Sequence, residues 1–330
     1  MFDGSADFES EGVQLAATPL LGPIKAVANA AKHLAAGVTT VRDLAGIGTC
    51  ELAMAIDHGV VPGPRLVAAG RALTVTGGHG HNMAFAREVD GADMVRRAVR
   101  KEIRAGAKAI KLIATGGVLT PGIGATFTAF TMDELTAGVD EAHKWNRGVA
   151  AHAIGAEGVT QSVLAGVDSV EHCVQLTKET AKVMAEEGTY RGPTLSAAFG
   201  MIENPQGTAA YALEKITSVI DDAERSNGVA LRANVRHICS TDAGTPFNEH
   251  GNAPRELVRM VAWGMRPIEA MVAATAHGAE LLRVPDVGRI ASGMRADLAL
   301  YDANPADDIE AVLSPRTVWK DGRVVAGRRA

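Results

Sequence analysis

The chain has 330 residues, 47% hydrophobic, 22% charged and only 4% aromatic, a globular composition that excludes disorder, collagen and coiled coil. A net charge of −5 gives no electrostatic reason for a nucleic-acid or anionic-membrane partner. The three cysteines, Cys50, Cys173 and Cys239, show no CxxC spacing, which excludes a disulfide framework or zinc ribbon and points to a reducing cytoplasm.

The first twenty residues carry acids where a signal peptide carries bases, and no later run approaches ~20 uninterrupted apolar residues. Residues 22–36 (GPIKAVANAAKHLAA) read as a helix, followed by a β-branched run at 38–41 (VTTV). Six further strand candidates follow at 65–69, 109–114, 149–153, 169–173, 191–196 and 237–242. Helical patterns separate most of them, the order of parallel βαβ units. Thr131 and Glu134 form a capping-box pair before MDELTAGVDEAHKW, and Gly148 closes that segment. Pro267 suits the first turn of a helix running through PIEAMVAATAHGAELL, with Pro285 as its stop.

Past residue 285 the texture changes to short alternating strands with glycine turns (GRIASGMRADLALYD, TVWKDGRVVAGRR). A division into 1–285 and a small β part at 286–330 is expected. Seven strands are one short of a closed (β/α)8 barrel, and a helix precedes the first of them. A barrel would therefore need a further strand before Met1, and the chain is expected to begin after it.

Four strands carry a titratable residue in an apolar run: Lys111 in AIKLIA, His152 in VAAHA, His172 in SVEHC and Asp242 in HICSTD. Taken singly, each can be structural: a hydrogen-bonded histidine, a surface lysine, a turn aspartate. Together they can satisfy one another around a cation, and His152, His172 and Asp242 fall at strand C-terminal ends, where barrel enzymes keep their chemistry. Motifs for phosphate loops (GxxxxGK[ST]), serine hydrolases (GxSxG) and zincins (HExxH) are lacking, and GIGTCE at 46–51 fails as a dinucleotide fingerprint.

The order GVTTVRD (37–43), GPRLVAAGRALTVTGGHGH (63–81), KAIKLIATGG (108–117), AHA (151–153), GVDSVEHC (166–173), PTLSA (193–197), STDAG (240–244) and GRIASGMRADLALYD (288–302) resembles the metal-dependent amidohydrolase superfamily. Within it the likeness is to the imidazolonepropionase-like and prolidase-like branch. The resemblance implies a distorted TIM (β/α)8 barrel with a partial small β-sandwich domain. It also implies two divalent ions, zinc by ligand type though manganese, cobalt or iron are admitted, bridged by a lysine carboxylated on its amine. Lys111 matches that lysine, His152 and His172 match ligands of the second metal, and Asp242 matches the aspartate that binds the first metal and shuttles the proton. His79 and His81 match the GGHG segment near the substrate carbonyl, to polarise that oxygen or grip a carboxylate. Arg71, Tyr190 and Arg191 are substrate-contact candidates on position alone.

The implied activity is hydrolysis of a peptide-like amide, a dipeptide or an N-acyl amino acid, by a cytoplasmic homo-oligomer that engages neither nucleic acid nor membrane. Hydrolysis of a cyclic amide, as in imidazolone chemistry, and a non-catalytic scaffold or oligomer subunit are the alternatives. Three departures bear on this. The family's first-strand His-x-His pair has no counterpart before residue 38, the only such spacing being His79–His81. Ile154 stands where many relatives carry Tyr or His, and Ser240 replaces a glycine before the aspartate.

Overall fold

The structure, a computed structural model, describes residues 3–4, 8–18 and 20–327. Positions 1–2, 5–7 and 19 of the N-terminal stretch, and 328–330 of the C-terminal β part, lie outside the described residues. The barrel strands are β1 (Thr40–Asp43), β2 (Arg65–Ala68), β3 (Ala72–Thr74), β4 (Ala86–Glu88), β5 (Ala109–Ile113), β6 (Gly148–Ala153), β7 (Ser169–His172) and β8 (Tyr190–Gly192). Six of them form one parallel sheet in the order β4-β3-β5-β6-β7-β8, and β1 pairs with β2 in a second. All five residues of β5 and all but the first of β6 are buried. Helices cover one face of these strands and the barrel interior the other, so they read as apolar runs without alternation.

Strands β2 and β3 are halves of one extended run, bent at Gly70. That glycine has φ +70° and the Glu102 carboxylate lies against it, so a side chain fits neither the backbone nor the space. The amide of Lys108 donates to Ala68 O at 2.8 Å and joins β2 to the start of β5. Beyond β8, Arg191 N–H donates to Arg236 O (2.8 Å) and Ile238 N–H to Arg191 O (3.0 Å). The strand expected at 237–242 is thus reduced to a single bridge, Arg191 to His237. Among the described residues its one strand partner is β8, its other contacts being with the helical segment at Ala273 and His277, and Asp242, at φ +52°, turns the backbone away. Among the described residues no strand hydrogen-bonds to the outer edge of β1. The architecture is a distorted (β/α) barrel with a lateral slot beside β1.

A buried ion pair crosses the barrel interior. Arg42 of β1 donates to Glu171 of β7 at 2.6 Å and to Ser169 Oγ at 3.1 Å. Burial opposes ionisation of Glu171, but the charges of Arg42 and Lys111 and the hydroxyls of Ser240 and Ser169 outweigh it and hold its pKa at about 2.

Two helix expectations need correction. The capping box forms, with Glu134 N–H reaching Thr131 Oγ1 and Thr131 N–H reaching Glu134 Oε2, but the helix ends at Lys144 and Gly148 opens β6 instead of closing the helix. The run from Pro267 is two helices, Pro267–Ala274 and Ala276–Leu282, broken at Thr275 (φ −120°, ψ −86°). The Thr275 hydroxyl donates to Met271 O at 2.6 Å, a bond back along the turn that favours a bend.

The C-terminal β part is an antiparallel sheet of β9 (Leu298–Leu300), β10 (Thr317–Lys320) and β11 (Arg323–Gly327), in the order β11-β10-β9. It is tied to the barrel by Arg65 with Asp297 (3.0 Å) and by Lys320 Nζ donating to Gly63 O (2.8 Å). No helix of the described residues is long and apolar enough to cross a membrane.

Candidate active site

The C-terminal ends of β5, β6 and β7 open into a cavity of about 1680 Å³ whose lining includes Lys111, His152, His172, Asp242, His79 and Arg71. Parallel strands bring these residues together: Lys111 stands mid-strand on β5, His152 and His172 at or next to the ends of β6 and β7, and His79, Arg71 and Asp242 in segments outside the strands. The His152 and His172 rings stand 4.5 Å apart between centroids, and His79 and His152 4.7 Å.

Hydrogen bonds fix which nitrogen of each ring is free. His152 Nε2 meets the carbonyl of Gly116 at 2.7 Å and must donate there, which leaves the Nδ1 lone pair unclaimed. Thr194 Oγ1 donates to Pro193 O at 2.8 Å, so at 2.7 Å from His172 Nδ1 it accepts, and His172 keeps its lone pair on Nε2. Burial lowers the pKa of His152 well below the ordinary value, helped by His172 and His79. Burial and the Lys111 charge likewise bring His172 to about 3. Both rings are neutral at pH 7, the state in which imidazole binds a metal.

Lys111 is buried, and that burial pulls its pKa down to about 8 against the opposing charges of Glu171 and Asp242. Asp242 is exposed to the cavity; the surrounding walls raise its pKa and Lys111 lowers it. The left-handed backbone of His172 (φ +68°), Cys173 (+50°), Thr194 (+52°) and Asp242 (+52°) concentrates strain around the cavity, as functional sites do.

His79 is held by Thr120, whose Oγ1 accepts from Gly80 N–H (2.9 Å) and meets His79 Nδ1 at 2.7 Å. With no other acceptor for that hydroxyl among the described residues, Thr120 donates to Nδ1 and His79 carries its proton on Nε2. Lys215 braces the same loop by donating to Thr120 O (2.6 Å) and Gly117 O (3.3 Å). Gly117 has no room for a side chain because the His79 ring lies against it. Thr120, Thr194 and Lys215 carry no sequence signal of their own.

Three expected contacts lie elsewhere. Tyr190 sits at the opposite end of its strand, its hydroxyl donating to Glu280 at 3.1 Å, and it lines a separate hollow with His143 and Asp168. Arg191 is fully buried outside the barrel interior, donating to Asn227 Oδ1 at 2.8 Å. His81 is exposed, its Nδ1 2.9 Å from Gly78 O. Ile154 is buried in an apolar cluster with Val118, Val174, Met201 and Ile216, and these residues form one wall of the cavity.

Two neutral imidazoles with assigned lone pairs, a carboxylate and an amine of lowered pKa suit a divalent cation by type. Among the described residues, however, no group of three or more His, Cys, Asp or Glu side chains is arranged to hold a metal ion. Lys111, as an amine, lies outside that count.

Residues 25–325 match the model of the amidohydrolase family. An ochratoxinase of Aspergillus niger is 32% identical over an alignment that covers 99% of this chain and 73% of that protein. The crystal structure of a Xaa-Pro dipeptidase with methionine bound in its active site superposes with a TM-score of 0.87 at 34% identity, covering 92% of this chain and 79% of the other. An imidazolonepropionase of Anaeromyxobacter is 48% identical, but over 65 residues, 19% of this chain and 15% of that protein. The chain belongs to the amidohydrolase family. It is a hydrolase acting on C–N bonds, from a family whose members use divalent metals.

Proposed function

We propose that the chain hydrolyses a dipeptide or N-acyl amino acid with an apolar group beside the scissile amide. The observation that carries this is the convergence on one cavity of Lys111, Asp242 and two histidines whose free lone pairs are set by separate hydrogen bonds. The dipeptidase and ochratoxinase relatives support the substrate class. The cyclic-amide alternative draws only on the 65-residue match.

His152 Nδ1, His172 Nε2, Asp242 and Lys111 would hold the cations, zinc by donor type, with Lys111 carboxylated on its amine. Burial favours the neutral amine that adds carbon dioxide. A bound divalent cation supplies Lewis acidity and a water of lowered pKa. Asp242, facing the cavity with a raised pKa, takes the proton of the attacking water and delivers it to the departing amine. The Nε2 proton of His79 donates to the amide oxygen as charge develops there.

Arg71 lines the same cavity, with no side-chain ion pair among the described residues, and pairs with the substrate carboxylate. The Ile154 wall takes the apolar side chain, at the position where the resemblance implies Tyr or His in many relatives. Three free cysteines fit a cytoplasmic setting, and exposed Val60, Leu164 and Ile290 fit a homo-oligomer.

Metal content and hydrolysis test this together. After zinc and bicarbonate loading, the chain is expected to cleave apolar dipeptides or N-acyl amino acids ahead of cyclic amides. Lys111→Ala should lose more than the roughly 100-fold that an outer partner of a metal ligand costs. A zinc-loaded chain inactive on all three substrate types overturns the proposal.

A further inference from the structure

The helix Leu195–Ile202 starts without a capping side chain of its own. Its N-cap, Thr194, has left-handed backbone at φ +52° and makes no cap bond, because its hydroxyl is engaged with His172 and Pro193. A β-branched residue in that conformation is strained and persists only where its surroundings over-determine it. The amides of Leu195 and Ser196 would be orphaned, but a side chain from another helix reaches them. Glu256, on the helix Ala253–Ala262, accepts from Leu195 N–H through Oε1 (2.8 Å) and from Ser196 N–H through Oε2 (2.7 Å). It is fully buried, and Thr194 is 4% exposed. Both oxygens are thus committed to the two amides that directly follow Thr194.

We propose that Glu256 is a positioning residue for His172. By clamping the start of the Leu195 helix it holds Thr194 in its left-handed conformation, so that the Thr194 hydroxyl accepts from His172 Nδ1–H and directs the Nε2 lone pair into the cavity. The chain runs carboxylate, helix amides, strained threonine, imidazole, and each link is a hydrogen bond or a left-handed backbone angle. Glu256 carries no sequence signal of this role, lying 84 residues from His172 and on a helix away from any strand end. The proposal rests on His172 being a metal ligand, and its test separates the two claims.

Nitrogen-15 NMR of the imidazoles in metal-free protein reads the tautomer directly, and chelator competition reads zinc affinity. In the unsubstituted chain His172 is expected to be protonated on Nδ1. Glu256→Gln, which presents an amide donor to one helix N–H, and Thr194→Val should each convert His172 to a mixture of tautomers. Each should also weaken zinc about 10- to 100-fold, the cost of losing an outer partner of a ligand, while Thr194→Ser restores both. Should Glu256→Gln fail to fold, Glu256→Asp, which reaches only one amide, is expected to give a partial shift. An unchanged tautomer and zinc affinity in the folded Glu256 variants, with only a lower denaturation midpoint, would make Glu256 a structural cap and overturn the proposal. Absence of zinc binding by the unsubstituted chain would instead sink the metal reading and leave the tautomer result to decide the role of Glu256.

Discussion

The barrel has two unlike halves. From β3 to β8 the strands pair continuously, and β5, β6 and β7 each have neighbours on both sides and carry Lys111, His152 and His172. Among the described residues the β1–β2 half has an unpaired outer edge, all four residues of β1 are only partly buried, and its reach across the interior is through Arg42. Three of the converging side chains, Lys111, His152 and His172, thus stand on doubly supported strands. The strand with one neighbour contributes a long, self-adjusting arginine that ends in an ion pair.

Three experiments would break or sharpen that contrast. The largest effect is expected from the cross-barrel pair. Arg42→Met leaves the Glu171 charge buried and should cost about 3–5 kcal/mol in chemical denaturation, with part recovered in the Arg42→Met/Glu171→Met double variant. A loss under about 1 kcal/mol would mean that the two halves are joined by backbone and packing alone.

A smaller effect is expected where the helix Leu21–Ala35, on the open half, meets the loop after residue 248. His33 lies 3.2 Å from His250 across that contact, and burial, with His250 and Lys32, lowers its pKa to about 3. The folded state keeps His33 neutral while the unfolded chain takes up a proton below about pH 6.5, so this contribution is complete above pH 6.5 and is lost as pH falls toward 3. Between pH 7.5 and 5 it amounts to about 2 kcal/mol, and His33→Gln should flatten the acid limb of the stability profile by that much. An unchanged limb would mean that the contact opens before His33 titrates.

The smallest effect concerns the paired half. Thr131→Ala removes the cap of the helix Met132–Lys144 and should cost about 1 kcal/mol, read as faster amide exchange in its first turn with no change in β1–β2. Faster exchange in both would argue that the halves unfold together.

The strand-borne residues were legible because a titratable group in an apolar run is conspicuous: Lys111, His152, His172 and Asp242 share one cavity. Tyr190 and Arg191 misled because composition marks a strand without marking its end or its outward face. The strands at 72–74 and 86–88 are three residues each, too short to show a period, and the 237–242 run has strand chemistry with a strand partner on one side only among the described residues. Thr120, Thr194 and Lys215 act through loop and helix-start hydrogen bonds whose donors and acceptors are distant in sequence or belong to the backbone. No pattern of side-chain types announces them.

The slot beside β1 has a consequence in volume as well as in energy. The cavity extends from the histidines to walls formed by Ala26, Ala30, Ile56, Leu66 and Leu281, where water finds few hydrogen-bonding partners. Space of that kind is eliminated when a chain unfolds, and hydrostatic pressure favours whichever state occupies less volume. Pressure and an apolar guest filling those walls are therefore expected to act in opposite directions on the folded chain.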